Sequence, residues 1–336
     1  MMQNMTITEF LAQHLQGEHS AALTAMLSDI AHAVKQIAVV IDAGAIAGNM
    51  GSLATESVQG VNVHGEVQKT LDVLTNDIFV EAIQKSGYVA GMVSEEVVDP
   101  IKSMVKNGQY LLCFDPLDGS SNVNVNISVG TIFSVLKAPN SQPELADFLQ
   151  AGTEQICGGY ALYGTSTMLV FTTGDGVNGF TLDKKTNTFL LTHPQMQIPQ
   201  NTTEFAINMS NYRFWQEPVQ RYVDECLQGT EGERDKDFNM RWVASMVAEV
   251  HRILVRGGIF MYPSDAKARM GKLRLMYEAN PMSFIVEQAG GGSSTGLQRV
   301  LEVSPTGIHQ RVPIMLGSKN EIDRIASYHQ KKSKRK

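Results

Sequence analysis

A layered α/β (α+β) fold is what this sequence predicts, on three observations. Apolar residues at Leu23, Met26, Leu27, Ile30, Val34, Ile37 and Ile41 recur at helical spacing, the mark of one long amphipathic helix over about 23–45. The stretches 160–173, 179–182 and 188–192 alternate apolar with polar residues between Gly or Asp turns, as antiparallel strands do. The apolar run 110–114 reads as a buried strand that stops at Asp115-Pro-Leu-Asp-Gly-Ser-Ser-Asn122, an acidic turn. Helices mixed with strands of both kinds must stack in layers, because each element has one apolar face to bury.

The elements follow in chain order. Ser20 is placed to cap the long helix. The Gly-, Ser- and Asn-rich segment 48–68 has no periodicity, and an irregular stretch of that length is often a functional segment. A second helix spans 70–85 on Leu71, Leu74, Ile78 and Ala82, with Asp72 near its start. A short strand over 87–96 ends in the acidic pair Glu95-Glu96, and 129–137 is strand-like. A helix over 240–256 on Val243, Met246, Val247, Val250 and Leu254 closes at Gly257-Gly258. The run 272–277 reads as a strand, and Asn280-Pro281 as the cap of a helix ending at Gly290. Lys331-Lys332 begins a basic, solvated tail. No linker is evident; a boundary near residue 200 divides 1–200, carrying the metal-site motifs, from 201–336, carrying the substrate-binding ones.

Composition narrows the function. With 336 residues, 43% hydrophobic and 18% charged, the chain can bury a large core. A net charge of −6 argues against nucleic acid as partner. Cys113, Cys157 and Cys226 form no CxxC pair and read as reduced thiols of a cytoplasmic protein. The longest apolar stretch, near 37–48, is broken by Asp42 and glycines and is too short to cross a membrane.

Chemistry concentrates in the acidic turn. Asp115 and Asp118 offer two carboxylates, Gly119 lets the backbone approach a ligand, and Ser120, Ser121 and Asn122 offer amides and hydroxyls. Carboxylates on one side and anion donors on the other suit Mg²⁺ bridged to a phosphate. Hydrolysis of a phosphate monoester calls for such a site, since its acceleration can reach about 10²¹. Glu66, Asp72, Glu95, Glu96 and Glu278 are further acids at element ends. A second, cationic and aromatic group, Arg241-Trp242, Tyr262, Lys272 and Arg274, suits another phosphate away from the metals. His64, His251 and His309 stand apart from other ligand types and read as structural.

These motifs resemble class I fructose-1,6-bisphosphatase. The resemblance rests on 115–122, Val93-Ser-Glu-Glu96, Gly159-Tyr-Ala-Leu-Tyr-Gly164, Gly257-Gly-Ile-Phe-Met-Tyr-Pro263, Gly271-Lys-Leu-Arg-Leu275 and Ile308-His-Gln-Arg311, and covers about 20–330. It implies an α-β-α-β-α sandwich, usually a homotetramer, that hydrolyses the 1-phosphate of fructose 1,6-bisphosphate. Glu95, Asp115, Asp118, Glu278, the Leu117 carbonyl and Glu66 would hold Mg²⁺, or Mn²⁺ or Zn²⁺. Asp72 and Glu96 would activate water, and Asp118, Gly119, Ser120 and Ser121 would bind the transferred phosphate. Asn208, Tyr212, Tyr262 and Lys272 would hold the 6-phosphate and sugar, and Arg241 would reach a neighbouring subunit's site.

The chain departs from the family pattern in places. Glu66 stands where Asp is usual, and Trp242 where Tyr is common. Gly17-Glu-His-Ser20 keeps part of an AMP-binding pattern, but Gln109-Tyr110 lacks its Lys and Lys137 replaces an Arg. AMP inhibition is therefore expected to be weak or absent. A sedoheptulose 1,7-bisphosphatase is the nearest alternative. An inositol monophosphatase has no use for the distal cations, and a catalytically silent sensor would lack metal acids that are all present.

Overall fold

In the computed structural model, the described residues are 5–17, 20–44, 70–103, 105 and 108–333. Segment 48–68 with Glu66 and His64 lies outside them, as do Glu18, His19 and 334–336. Helix α1 (Ile7–His14) opens on a capping box between Thr6 and Glu9, whose two side chains satisfy amides that the helix leaves open. It is followed by α2 (Ser20–Ala43) and α3 (Thr70–Gln84). By length and composition α2 could cross a bilayer, further N-terminal than the stretch that stood out in the sequence. Yet its Leu23, Met26, Leu27, Ile30, Val34 and Ile37 are buried in the protein's own core.

The eight-stranded sheet consists of β1 (Val89–Ser94), β2 (Ile101–Lys102), β3 (Tyr110–Asp118), β4 (Val129–Lys137), β5 (Cys157–Tyr163), β6 (Thr167–Thr172), β7 (Asn178–Asp183) and β8 (Thr188–His193). Its order is β2-β1-β3-β4-β5-β6-β7-β8, antiparallel except where β1 runs parallel to β3. Neighbouring strand residues point to opposite faces. So Phe133, Val135, Leu169 and Phe171 pack under α2, while Ile132, Tyr160 and Val170 face the opposite layer.

That opposite layer holds α6 (Met246–Arg256) and α7 (Asn280–Gln288); the short α4 (Leu145–Phe148) follows β4, and α5 (Glu217–Gln228) precedes α6 in the chain. Beyond it lies a second sheet of β9 (Glu204–Ala206), β10 (Asn239–Met240), β11 (Ile259–Tyr262), β13 (Gly292–Ser294) and β15 (Ile314–Gly317), ordered β10-β9-β11-β15-β13. A ribbon of β12 (Leu273–Arg274) with β14 (Arg311–Val312) stands apart. Helices α5 and α8 (Lys319–Ser333) close the stack, burying Tyr222, Val223, Ile322 and Ile325 on Phe205, Ile259 and Met315. The result is the α-β-α-β-α succession.

Four sequence readings differ from what the structure shows. The helix expected over 240–256 begins at Met246, because Ala244 takes a left-handed φ of 61° and the extended Ser245 caps the helix by accepting the Ala248 N–H. The strand expected over 272–277 pairs only at Leu273 and Arg274; Leu275–Ala279 coils into a π-helical turn leading directly into α7. Asn280 lies within that helical path with φ −63°, so it is not a cap. Pro281 has no N–H to donate to the turn before it, and the helix widens there. The strand expected to stop at 114 runs on to Asp118.

On α6, His251 Nδ1 lies 2.9 Å from the Tyr160 hydroxyl, joining this layer to the large sheet. Burial pushes the imidazole from 6.5 down to about 4, with His193 adding repulsion. A lowered folded-state value means neutral His251 favours the fold above pH 6.5, and that contribution is lost as pH falls through about 4. In urea titrations across this window, wild-type protein should lose up to about 3 kcal/mol more than His251→Gln. Parallel acid limbs would refute a titrating His251.

Candidate active site

Asp115 and Asp118 would point to opposite faces of a regular strand, being three residues apart. A β-bulge prevents this: Asp115 pairs with Ile132 and Asp118 with Gly130, so three steps on β3 match two on β4. The extra residue brings both carboxylates to one side. Pro116 fits the irregular position, where it has no N–H to donate and its carbonyl accepts the Thr131 hydroxyl at 2.9 Å.

Glu95 and Glu96 arrive through strand direction. Because β1 is parallel to β3, the two strands finish side by side, and the Glu95 N–H donates to the Phe114 carbonyl at 3.1 Å. Asp72, buried in the first turn of α3, opens into the same cavity. Glu278 enters from the π-helical turn, where its carboxylate accepts the Arg274 N–H. Ligand oxygens of Asp115, Asp118 and Glu278 lie within 4.8 Å of one another, all three side chains buried.

Burial is the main force on these acids. It holds Asp115 well above the ordinary carboxylate range, reinforced by Glu95, Asp118 and Glu278. Glu278 is raised well above its usual value by burial and then by Glu95. Asp118 is raised by burial too, but amide donation from Val247 and Met246, the Ser245 hydroxyl and the nearby Lys272 pull it back. Buried like charges at this separation call for a cation, and an all-oxygen donor set suits a hard divalent ion. The residues present therefore fit a divalent metal.

The acids and the loop that follows them line a cavity of about 260 Å³. Gly119, Ser120 and Ser121 start a short 3₁₀ turn on it, and Leu117 borders it. Trp242, Tyr262 and Lys272 line it too, the lysine Nζ 3.4 Å from the Tyr262 hydroxyl and over its ring. Trp242 stacks on Phe260 with centroids 6.0 Å apart. Arg274 is 3% exposed, and its Nε and Nη2 have no hydrogen-bond partner among the described residues. Buried donors left open in this way are suited to an oxyanion.

Other expected residues lie elsewhere. The Asn208 side chain caps its own turn by accepting from Ser210, and the Tyr212 hydroxyl donates to Asp224 at 2.8 Å. Half-exposed Arg241 faces Glu204 with Nε 3.8 Å from the carboxylate. None of the three lines this cavity within one chain. Glu66 is outside the described residues. His251 and His309 bond to Tyr160 and Tyr277, as structural histidines do. Ser245 and the Val247 amide, both on Asp118, were missed. The cap signal of Ser245 before Met246, Val247, Val250 and Leu254 was readable, but the helix placed too early concealed it.

Residues 5–194 match the family model described as Fructose-1-6-bisphosphatase, N-terminal domain, and 198–330 the one described as Fructose-1-6-bisphosphatase, C-terminal domain. The chain is similar to the curated "Fructose-1,6-bisphosphatase class 1" of Halorhodospira halophila, 55% identical over 336 residues, covering 97% of this chain and 98% of that protein. Its counterpart in Methylobacillus flagellatus is also 55% identical, over 329 residues with the same coverage. The crystal structure of Leishmania major fructose-1,6-bisphosphatase in holo form superposes with a TM-score of 0.90 at 37% identity, covering 97% of this chain and 99% of that one. The apo form of that enzyme gives 0.85 at 35% identity, covering 98% and 100%.

With its folded-state value raised, charged Asp115 opposes folding as pH climbs through that value. In EDTA at mildly alkaline pH, Asp115→Asn should therefore be more stable than wild type by about 1–3 kcal/mol in urea unfolding. The same variant should lose the stabilisation that Mg²⁺ confers on wild type. A variant less stable in EDTA would contradict uncompensated burial.

Proposed function

The chain belongs to the class 1 fructose-1,6-bisphosphatase family, and on that premise we propose how its own residues carry out the reaction. It is a phosphatase that hydrolyses fructose 1,6-bisphosphate. The observation that carries the proposal is one cavity that holds three mutually close buried carboxylates together with Lys272 and the open donors of Arg274.

Glu95, Asp115, Asp118, Glu278 and the Leu117 carbonyl would hold the divalent ion, Mg²⁺ in our reading with Mn²⁺ or Zn²⁺ as substitutes; Glu66 is a further candidate. When bound, the ion polarises the phosphoryl oxygens and stabilises the leaving oxygen. Asp72 and Glu96 orient a water and accept its proton as its oxygen bonds to phosphorus. The bond from phosphorus to the sugar oxygen breaks, and the departing oxygen takes up a proton to give fructose 6-phosphate. Asp118 and Gly119 border the phosphate, while amides and hydroxyls at Ser120 and Ser121 bind its oxygens, as the open start of a helical turn does. Arg274 adds charge-assisted donors there.

Tyr262 and Lys272 bind the 6-phosphate end, with Trp242 and Phe260 walling the sugar. Asn208 and Tyr212 would join them there, as the family resemblance implies. Arg241, half-exposed, would serve a neighbouring site in a homotetramer. We keep the division near residue 200 as a proposal: 1–200 supplies Asp72, Glu95, Asp115 and Asp118, and 201–336 supplies Lys272 and Glu278. Three buried, unpaired thiols support a reducing, cytoplasmic setting, Cys113 being pushed up to about 12 by burial alone.

A separate cavity of about 430 Å³ is lined by Gln16, Ser20, Gln109, Tyr110 and Lys137, residues of the incomplete AMP pattern. Lys137 is the one cationic side chain among its described lining residues. Half-inhibition should accordingly need AMP far above the low micromolar range; inhibition there would refute this.

Phosphate release should be metal-dependent, abolished by EDTA, and faster from fructose 1,6-bisphosphate than from sedoheptulose 1,7-bisphosphate assayed beside it. Asp118→Asn should lower kcat by about 10³-fold or more with the fold retained by circular dichroism. Lys272→Met should raise KM about tenfold or more with kcat changed far less. Near-normal turnover by Asp118→Asn would remove the metal assignment.

A further inference from the structure

Glu249 is a fully buried acid in the first turn of α6, and only half of its carboxylate serves a cation. Oε2 accepts from Arg252 Nη2 at 2.9 Å. Oε1 instead accepts from the Val243 N–H at 2.5 Å. The carbonyl of that same residue accepts from Asn122 Nδ2 at 3.0 Å. Val243 is therefore gripped on both sides, by a helix acid and by the last residue of the acidic motif. Glu249 has been given no role above, and the Asn122 side-chain amide, read from sequence as an anion donor, is committed to Val243 instead.

The next residue shows what the grip holds. Ala244 has φ 61°, a left-handed conformation that is unfavourable for a residue with a Cβ and persists where the surroundings impose it. It lies on the catalytic cavity. Directly after it, Ser245 Oγ donates to Asp118 Oδ2 at 2.8 Å, and the Val247 N–H donates to the same oxygen at 3.0 Å. Two donors on one oxygen fix the rotation of the Asp118 carboxylate. The turn also has no slack: a Cβ on Gly119 would meet the Ser245 Cβ at 2.9 Å.

We propose that Glu249 and Asn122 are positioning residues for the metal centre, clamping the Val243 backbone so that the strained turn 243–245 presents Ser245 and the α6 amides to Asp118. The inference rests on the reading of Asp118 as a metal ligand. Partners of this kind typically change metal affinity by about 10–100-fold when removed. Arg252 holds the Glu249 carboxylate in place, and is in turn paired with Glu204.

The test is Mn²⁺ binding to the full-length, metal-free protein without substrate, followed by the paramagnetic resonance signal of the free ion. Melting temperature in EDTA, KM and kcat are measured alongside. Glu249→Ala should weaken Mn²⁺ binding about tenfold or more and raise the metal concentration needed for turnover. Glu249→Gln keeps an oxygen for the Val243 N–H and should stay within about threefold of wild type. Arg256→Met, which removes an ion pair to Glu204 and leaves the clamp intact, should bind Mn²⁺ normally whatever its melting temperature. If Glu249→Ala does not fold, Asn122→Ala releases the other side of Val243 and should show the same loss.

A folded Glu249→Ala with wild-type Mn²⁺ affinity would overturn the clamp, as would Glu249→Gln binding as poorly as Glu249→Ala. Failure of the wild-type protein itself to bind Mn²⁺ would sink the metal reading and the inference with it, and it is recognisable because it appears in the parent.

Discussion

Mutual repulsion among buried carboxylates is the constraint around which this protein is built. Asp115, Asp118 and Glu278, all largely buried, bring ligand oxygens within 4.8 Å of each other, and Glu95 adds to the crowding. Left uncompensated, such burial favours the neutral acids or an open chain. The core must therefore hold the acids together against their own field. Five layers of helix and sheet do this, with Phe114, Phe133 and Tyr277 buried beneath the acids. A divalent ion held by these acids would turn the same repulsion into binding energy.

Irregular backbone occurs where this chemistry needs it. The bulge in β3 turns two acids to one face, the π-helical turn carries Glu278, and left-handed Ala244 leads Ser245 to Asp118. Each breaks a regular hydrogen-bond pattern, and each is secured by a side chain: Thr131 on Pro116, Glu278 on the Arg274 amide, Glu249 and Asn122 on Val243. Regular elements supply rigidity and the departures supply direction. The cavity also combines the carboxylates with two cations, Lys272 and Arg274, as a phosphate-bearing substrate requires.

Much of this was legible in the sequence. Period-3.6 apolar residues placed α2 and α3 to within a few residues, and period-2 alternation placed the antiparallel strands, because burial of one face imposes those periods directly. Asp72, Glu95, Glu96, Asp115, Asp118, Gly119, Ser120, Ser121, Tyr262, Lys272 and Glu278 do converge on one cavity. The errors have physical causes. Val243 continues the helical period of α6 although Ala244 leaves helical geometry, so periodicity alone set the start too early. Alternation over 272–277 imitates a strand, while Pro281 further along makes the preceding turn widen.

Residue chemistry and spacing by themselves determined the layered class, the oxygen-rich anion site and the family resemblance, since these depend on side-chain type and on periods within one segment. Only the tertiary structure decided that Asp115 and Asp118 share a face, that Arg274 lies buried with open donors, and that Asn208, Tyr212 and Arg241 stand outside the cavity of a single chain. It alone showed Glu249 reaching back to Val243 and Ser245 reaching across to Asp118. The reason is range. A bulge depends on the partner strand and a side chain's direction on what packs against it, and neither lies within the local segment: Asp118 pairs with Gly130 and is held by Ser245, 127 positions away.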